Sequence, residues 1–122
     1  MNWTATGAIA LGLGVTLGAF GAHELRGRLD AYSIDVFERA VFYHFLHALG
    51  ILIIPALERM GLVDAKAAGR ACWLLLTGIV LFAGSLYLLA VTGHRMLGAV
   101  TPLGGVSFIA AWVVLALGAR KS

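Results

Sequence analysis

Four long apolar stretches, separated by short polar connections, dominate the pattern of hydrophobic and polar positions along this chain. Each holds about 18 or more residues nearly free of charge, which is the length that crosses a bilayer as a helix. We therefore predict transmembrane helices over residues 3–22, 34–57, 71–92 and 96–119. The composition agrees, because 61% hydrophobic residues and 12% charged residues exceed what a soluble domain can bury. The predicted fold class is all-α, a polytopic membrane protein whose residues 1–122 form a single four-transmembrane-helix bundle.

The first apolar stretch carries its glycines on one face. Small and apolar residues recur at steps of four, three, four and three, at Gly7, Leu11, Gly14, Gly18 and Gly21. Such a stripe lets two helix backbones approach closely in lipid, so we expect these glycines to pack against a neighbouring helix. Residues 19–21 resemble a signal-peptide cleavage site, but no Lys or Arg precedes the stretch. We therefore expect a retained helix.

The connection over residues 23–39 is the most polar part of the chain. Its apolar residues are three or four positions apart, at Leu25, Leu29, Tyr32 and Val36. Charged residues occupy the other faces, and Glu24 and Arg28 have the spacing of an i,i+4 pair. This pattern predicts a short helix lying in the membrane interface, with Ser33 as the N-cap of the second transmembrane helix near Ile34.

The last apolar stretch allows two interpretations because Pro102 lies inside it. Residues 96–119 form one continuous helix kinked at Pro102, or Thr101 caps a helix that starts at Pro102. In the second case residues 96–100 form an apolar segment without regular structure near the interface. We favour the continuous, kinked helix.

The number and placement of the charged residues bear on possible partners and on orientation in the membrane. The net charge is only +3 and the basic residues are scattered, so nucleic acid is not an expected partner. Four crossings place both termini on one side, with five Lys and Arg on that side and four on the other. The positive-inside rule then favours cytoplasmic termini. The single cysteine, Cys72, excludes an internal disulfide.

Several strings of residues along the chain together resemble a known family. They are Gly18-Ala19-Phe20-Gly21-Ala22-His23, Tyr43 and His47 before Ala48-Leu49, Gly84-Ser85-Leu86-Tyr87, Thr101-Pro102-Leu103-Gly104-Gly105, and Trp112. The chain resembles the domain of unknown function 423 family, the YgdD-like small four-helix inner-membrane proteins. The chain departs from the family pattern at Ala83 and Ala111, but alanine keeps a small side chain at both positions. The resemblance implies a four-helix fold and a location in the bacterial inner membrane, and it implies no activity.

Histidines near the start of the second helix suggest a polar site. An antiparallel hairpin could bring His23 and Glu24 close to Tyr43, His44 and His47, where imidazole and carboxylate groups would suit zinc or another borderline metal. Polar side chains in lipid more often hydrogen-bond a neighbouring helix, so we favour structural histidines. We expect His47 to be buried and hydrogen-bonded, for example to Tyr43, whereas His44 faces the headgroups.

The fourth helix offers a second candidate binding region. If a helix starts near Thr101 at membrane depth, its free amides face a cavity in the way that transporters hold anions; otherwise Gly104 and Gly105 admit close packing. Ser85 and Tyr87 carry hydroxyls that could bond to this segment, although they point to different faces.

Three hypotheses for function follow. We favour a non-enzymatic membrane protein that acts by interaction, as a homo-oligomer or as an accessory of a larger complex, with membrane lipids around it and no cofactor. The alternative is a module that binds or transports a lipid or small solute through His23, Tyr43, His47, Ser85, Tyr87 and residues 101–105. The third is a metal or haem protein that uses His23 and His47. An enzyme is not expected, because no acidic pair or nucleophile with a base lies in the apolar stretches.

Overall fold

The computed structural model describes residues 1–120, and these form an all-helical bundle. Helix α1 (Trp3–Phe20) continues into a π-helical turn (Gly21–Leu25), and α2 (Ala31–Arg59) follows after a short connection. Helix α3 (Ala65–Gly78), a second π-helical turn (Ile79–Ala83) and α4 (Gly84–Thr92) form one continuous rod. A 3₁₀-helix (Arg95–Ala99) precedes α5 (Thr101–Leu117). These elements make four segments that are long and apolar enough to cross a membrane, so the predicted four-helix membrane bundle is confirmed.

Helix α2 lies at the centre of the bundle. It runs antiparallel to α1 on one side and packs on α3 and α4 on the other. Helix α5 packs along α3 and the second π-helical turn. The first and last crossings consequently bury a smaller share of their residues than the two central crossings do.

The polar connection is not the separate interfacial helix that the sequence predicted. Its first residues belong to the π-helical turn that ends α1, and α2 already begins at Ala31. Asp30, not Ser33, is the N-cap, because its carboxylate accepts a hydrogen bond from the Ser33 amide at 2.8 Å. This bond favours the charged carboxylate and lowers the pKa of Asp30 below its ordinary value of 3.8.

The third crossing begins at Ala65 and not at residue 71, because Asp64 supplies a cap there. The Asp64 carboxylate accepts hydrogen bonds from the amides of Lys66 and Ala67, each at 3.1 Å. These bonds, together with Arg120 at 3.3 Å, lower the pKa of Asp64. Polar residues in the first turns of α3 therefore extend the helix beyond its apolar part.

The last crossing is interrupted, so the continuous helix that we favoured is wrong. Residues Arg95–Ala99 are a 3₁₀-helix, and the regular helix α5 begins at Thr101 with Pro102 in its first turn. Proline lacks an amide hydrogen, and the first turn of a helix is where that loss costs nothing. Thr101 is itself helical and is not the cap that the second interpretation assumed.

Candidate functional site

Helix α2 carries both buried histidines of the bundle. Tyr43, His44 and His47 fall within about one turn, and both histidines are buried, at 4% and 3% exposure. Helix α2 contacts α1, α3 and α4, so side chains on different faces of one turn reach different helices.

His44 joins three helices through its imidazole ring. Its Nε2 lies 2.7 Å from the carbonyl oxygen of Ala10 on α1, and its Nδ1 lies 2.8 Å from the hydroxyl of Tyr87 on α4. A carbonyl oxygen only accepts hydrogen bonds, so in the neutral ring Nε2 carries the hydrogen and the Tyr87 hydroxyl donates to Nδ1. The expectation that His44 faces the headgroups is wrong, because its bonding partners lie on the inner faces of α1 and α4.

His47 is buried and hydrogen-bonded, as predicted. Its Nδ1 donates to the backbone oxygen of Tyr43 at 2.7 Å, within α2 itself. The ring stacks on Phe108 of α5 with centroids 3.5 Å apart and planes 6° apart, and Trp112 lies 5.9 Å away. His47 therefore holds α5 by ring contact and not by a hydrogen bond between helices.

His23 is not part of this cluster. It is exposed on the π-helical turn that ends α1, where the neighbouring Gly21 packs against Phe37. Phe37 precedes His47 by ten residues of α2, about 15 Å along the helix axis. The alternative hypothesis of a site shared by His23 and His47 is therefore wrong. Within residues 1–120, no group of three His, Cys, Asp or Glu side chains is placed to hold a metal ion.

The residues at the start of α5 pack against the neighbouring crossing. The Ser85 hydroxyl donates to the backbone oxygen of Phe82 at 3.0 Å, so the hydroxyl of Thr101, 2.6 Å away, donates to Ser85. A Cβ atom on Gly104 would stand 2.7 Å from the Cα of Phe82, and one on Gly105 would touch the Phe82 ring at 3.8 Å. These contacts seat α5 on the second π-helical turn, where the sequence suggested an anion site. Tyr87 bonds to α2 and takes no part in this contact.

The glycine stripe of α1 faces α2. Cβ atoms on Gly7, Gly14 and Gly18 would stand 2.8 Å from the Leu52 nitrogen, 3.2 Å from the Phe45 ring and 3.5 Å from Val41. Gly21 is packed still more closely, against the Phe37 ring. Gly12, which is outside the stripe, has open space around its Cβ position.

Sequence reasoning missed two residues that join helices. Besides His44, Ser107 on α5 donates its hydroxyl hydrogen to the backbone oxygen of Leu74 on α3 at 2.7 Å. Both are polar residues within apolar stretches, where lipid offers no hydrogen-bond partner. Their position in the sequence therefore already indicated that they bond to another part of the protein. Their partners are backbone oxygens of other helices, which no sequence pattern marks.

Comparison with known proteins identifies the family. The model of the family described as "Protein of unknown function (DUF423)" matches residues 17–105. The UPF0382 membrane protein YwdK of Bacillus subtilis (strain 168) is 46% identical over 117 residues, which cover 94% of this chain and 93% of the relative. The UPF0382 membrane protein SH2409 of Staphylococcus haemolyticus is 44% identical over 115 residues, covering 94% and 92%.

A more distant relative agrees with this assignment. The UPF0382 membrane protein SAB0533 of Staphylococcus aureus (strain bovine RF122 / ET3-1) is 39% identical over 115 residues, which cover 94% of this chain and 92% of the relative. No solved structure matches the chain. With a family model over most of its length, relatives named as membrane proteins and four helices that can span a bilayer, the chain belongs to the DUF423 family of membrane proteins.

Proposed function

We propose that this protein is a non-enzymatic component of the bacterial inner membrane that acts through contacts with other membrane proteins or with copies of itself. One observation carries the proposal. The polar side chains buried within the bundle, His44, His47, Ser85 and Ser107, each form a hydrogen bond within or between its helices. Because these bonds hold the bundle together, they favour a structural role for the four side chains over solute binding or proton transfer.

The outer faces of the first and last crossings are the surfaces that such contacts would use. Leu13 on α1 and Ile109 on α5 are 54% and 67% exposed, although each lies near the middle of its crossing. Because lipid tails are as apolar as these side chains, association would depend on close packing and not on removal of apolar surface from water.

Photo-crosslinking in native membranes tests the proposal. A benzoylphenylalanine residue at position 13 or 109 should give one or a few protein adducts of discrete mass, whereas the same residue at position 75 should give none. Leu75 is the matched control, because its side chain is fully buried in the bundle. If positions 13 and 109 yield lipid adducts alone, the protein does not act by contact through these faces.

The orientation is part of the same proposal, with both termini in the cytoplasm. The argument is the small excess of Lys and Arg on the side of the termini. Lys121, one of the basic residues on that side, lies outside the described residues. A green fluorescent protein fused to the C-terminus should fluoresce, and an alkaline phosphatase fused there should be inactive. The reverse pair of results would place the termini outside.

A further inference from the structure

A cleft between the end of α1 and the start of α2 has an apolar part and a charged part. The inner part, of about 220 Å³, is lined chiefly by small and apolar residues: Gly18, Gly21, Ala22, Ile34, Phe37 and Val41. The outer part, of about 520 Å³, is bordered by Asp35 and again by Ile34. Arg26 and Glu38 border both parts and pair with each other at 2.7 Å, so the two parts adjoin at this ion pair.

The two parts lie at different depths in the membrane. In α2 the residues without charge run from Ala40 to Leu57, about 27 Å along the axis, which matches the hydrocarbon core of a bilayer. Gly18 and Val41 therefore lie inside the hydrocarbon. Arg26 and Glu38 lie at the level of the headgroups. The cleft has the polarity profile of the upper part of a phospholipid, apolar inside and charged outside.

Each charged side chain that borders the cleft has a partner of opposite charge. Arg26 pairs with Glu38 at 2.7 Å, and Asp35 pairs with Arg39 at 2.8 Å. The side chains of Arg26 and Glu38 are 63% and 56% exposed, so a ligand can reach both. Arg39 is outside the lining, so an anionic headgroup in the cleft would meet two carboxylates and one guanidinium group. A headgroup that carries one phosphate and one ammonium group complements the site.

We propose that this cleft binds one molecule of phosphatidylethanolamine. The upper part of one acyl chain lies in the inner part of the cleft beside Ala22 and Val41, and the phosphate contacts the Arg26 guanidinium. The primary ammonium donates hydrogen bonds to the Glu38 carboxylate, with Asp35 close by. A quaternary ammonium, as in phosphatidylcholine, has no hydrogen to donate. The Arg26–Glu38 pair opens readily for the headgroup, because exposed ion pairs contribute little to stability.

Native mass spectrometry of the full-length protein in detergent micelles tests the proposal. The protein is titrated with palmitoyl-oleoyl phosphatidylethanolamine, phosphatidylglycerol or phosphatidylcholine, which share the same acyl chains. We expect one retained phosphatidylethanolamine with an apparent Kd about tenfold lower than for the other two, the effect of one charge-assisted hydrogen bond. Equal retention of the three lipids, or preference for phosphatidylglycerol, would overturn the proposal.

Variants locate the site. Glu38→Gln should reduce the preference for phosphatidylethanolamine over phosphatidylcholine, and Ala22→Leu should lower retention of all three lipids by filling the inner part. The double variant Glu24→Gln, Arg28→Gln is the matched control, because it removes an ion pair of 3.7 Å from the same connection but outside the cleft. If this control loses the preference as fully as Glu38→Gln does, the cleft is not the site. The headgroup preference of the unchanged protein decides the proposal even where a variant fails to fold.

Discussion

His44 is the residue whose ring holds the most helices together. Its two nitrogens bond to α1 and α4 while its backbone belongs to α2, so loss of the ring affects three elements. His47, one turn later, bonds only within its own helix and reaches α5 by stacking. Two neighbouring histidines of similar burial therefore differ in what they contribute to stability.

We predict that His44→Phe destabilises the bundle more than His47→Phe does. Phenylalanine at position 44 leaves the Tyr87 hydroxyl without its acceptor and removes both bonds between helices, a cost of about 1 to 3 kcal/mol. Phenylalanine at position 47 keeps the stacking on Phe108 and loses one bond within α2, at a cost of about 1 kcal/mol or less. Unfolding of each variant in a detergent titration measures the difference. Equal losses would show that the His44 bonds contribute little.

The pairing of His44 with Tyr87 can be measured separately. Tyr87→Phe removes only the hydroxyl, so the double variant with His44→Phe should lose less stability than the sum of the two single variants. We expect a coupling of about 0.5 to 2 kcal/mol between the two side chains. Strict additivity would mean that the hydrogen bond is not formed in the membrane or micelle.

Asp64 should make stability depend on pH in the acid range. Its pKa is lowered in the folded protein, so its contribution is present at neutral pH and is lost as pH falls from about 5 through the folded pKa. Asp64→Asn should lower the Tm at pH 7, and its Tm should approach that of the parent as the pH drops towards 3. A difference in Tm that stays constant with pH would contradict the role of the charged carboxylate as cap and partner of Arg120.

At the scale of the helices, the contact between α1 and α2 depends on positions without a side chain. We predict that Gly7→Ala destabilises the bundle by about 1 to 3 kcal/mol, because its Cβ would stand 2.8 Å from a backbone nitrogen of α2 that cannot move aside. Gly12→Ala on the same helix is the matched control, since nothing lies within 4 Å of its Cβ position. It should leave stability unchanged or raise it slightly, because alanine favours the helix. Equal effects of the two variants in a thermal melt would contradict the close contact.

At the scale of the whole molecule, the end of the described chain closes onto the connection between α2 and α3. The Asp64 amide donates to the backbone oxygen of Gly118 at 2.9 Å, and the Arg120 amide donates to that of Leu62 at 2.8 Å. Val63 and Ala119 face each other in an antiparallel bridge between these bonds. This closure joins two distant parts of the sequence. It lies at the end of the bundle where α1 begins.

We predict that a disulfide forms between cysteines introduced by Val63→Cys and Ala119→Cys in a Cys72→Ala background. Opposed residues of an antiparallel bridge have Cβ atoms about 4.5 to 5.5 Å apart, close enough for a disulfide after a small adjustment. Mild oxidation should remove two free thiols, as measured by mass after alkylation. The pair Val63→Cys with Leu103→Cys is the control, because Leu103 lies at the opposite end of α5 and should leave both thiols free. Free thiols in the first pair would contradict the closure.

The sequence alone determined the class of the protein, the number of crossings and the inner face of α1. Long uncharged stretches have one stable form in lipid, because a helix satisfies every backbone polar group within itself. The spacing of Gly7, Gly14 and Gly18 marks a face because the helical period does not depend on the partner. The burial of His47 followed from the same local reasoning, since lipid offers an imidazole no hydrogen-bond partner.

Only the tertiary structure determined which groups the buried polar side chains bond to. His44 bonds to a backbone oxygen of α1, and Ser107 to one of α3, and every residue of a helix has such an oxygen. Capping by Asp30 set where α2 begins, which left no length for an interfacial helix and kept His23 far from His47. The cleft beside Arg26 is lined by residues from the end of the first crossing and from the start of α2, so it exists only when the two are packed together. Such pairings depend on how two helices are rotated and offset against each other. The residue pattern of one helix does not determine its rotation or offset relative to another.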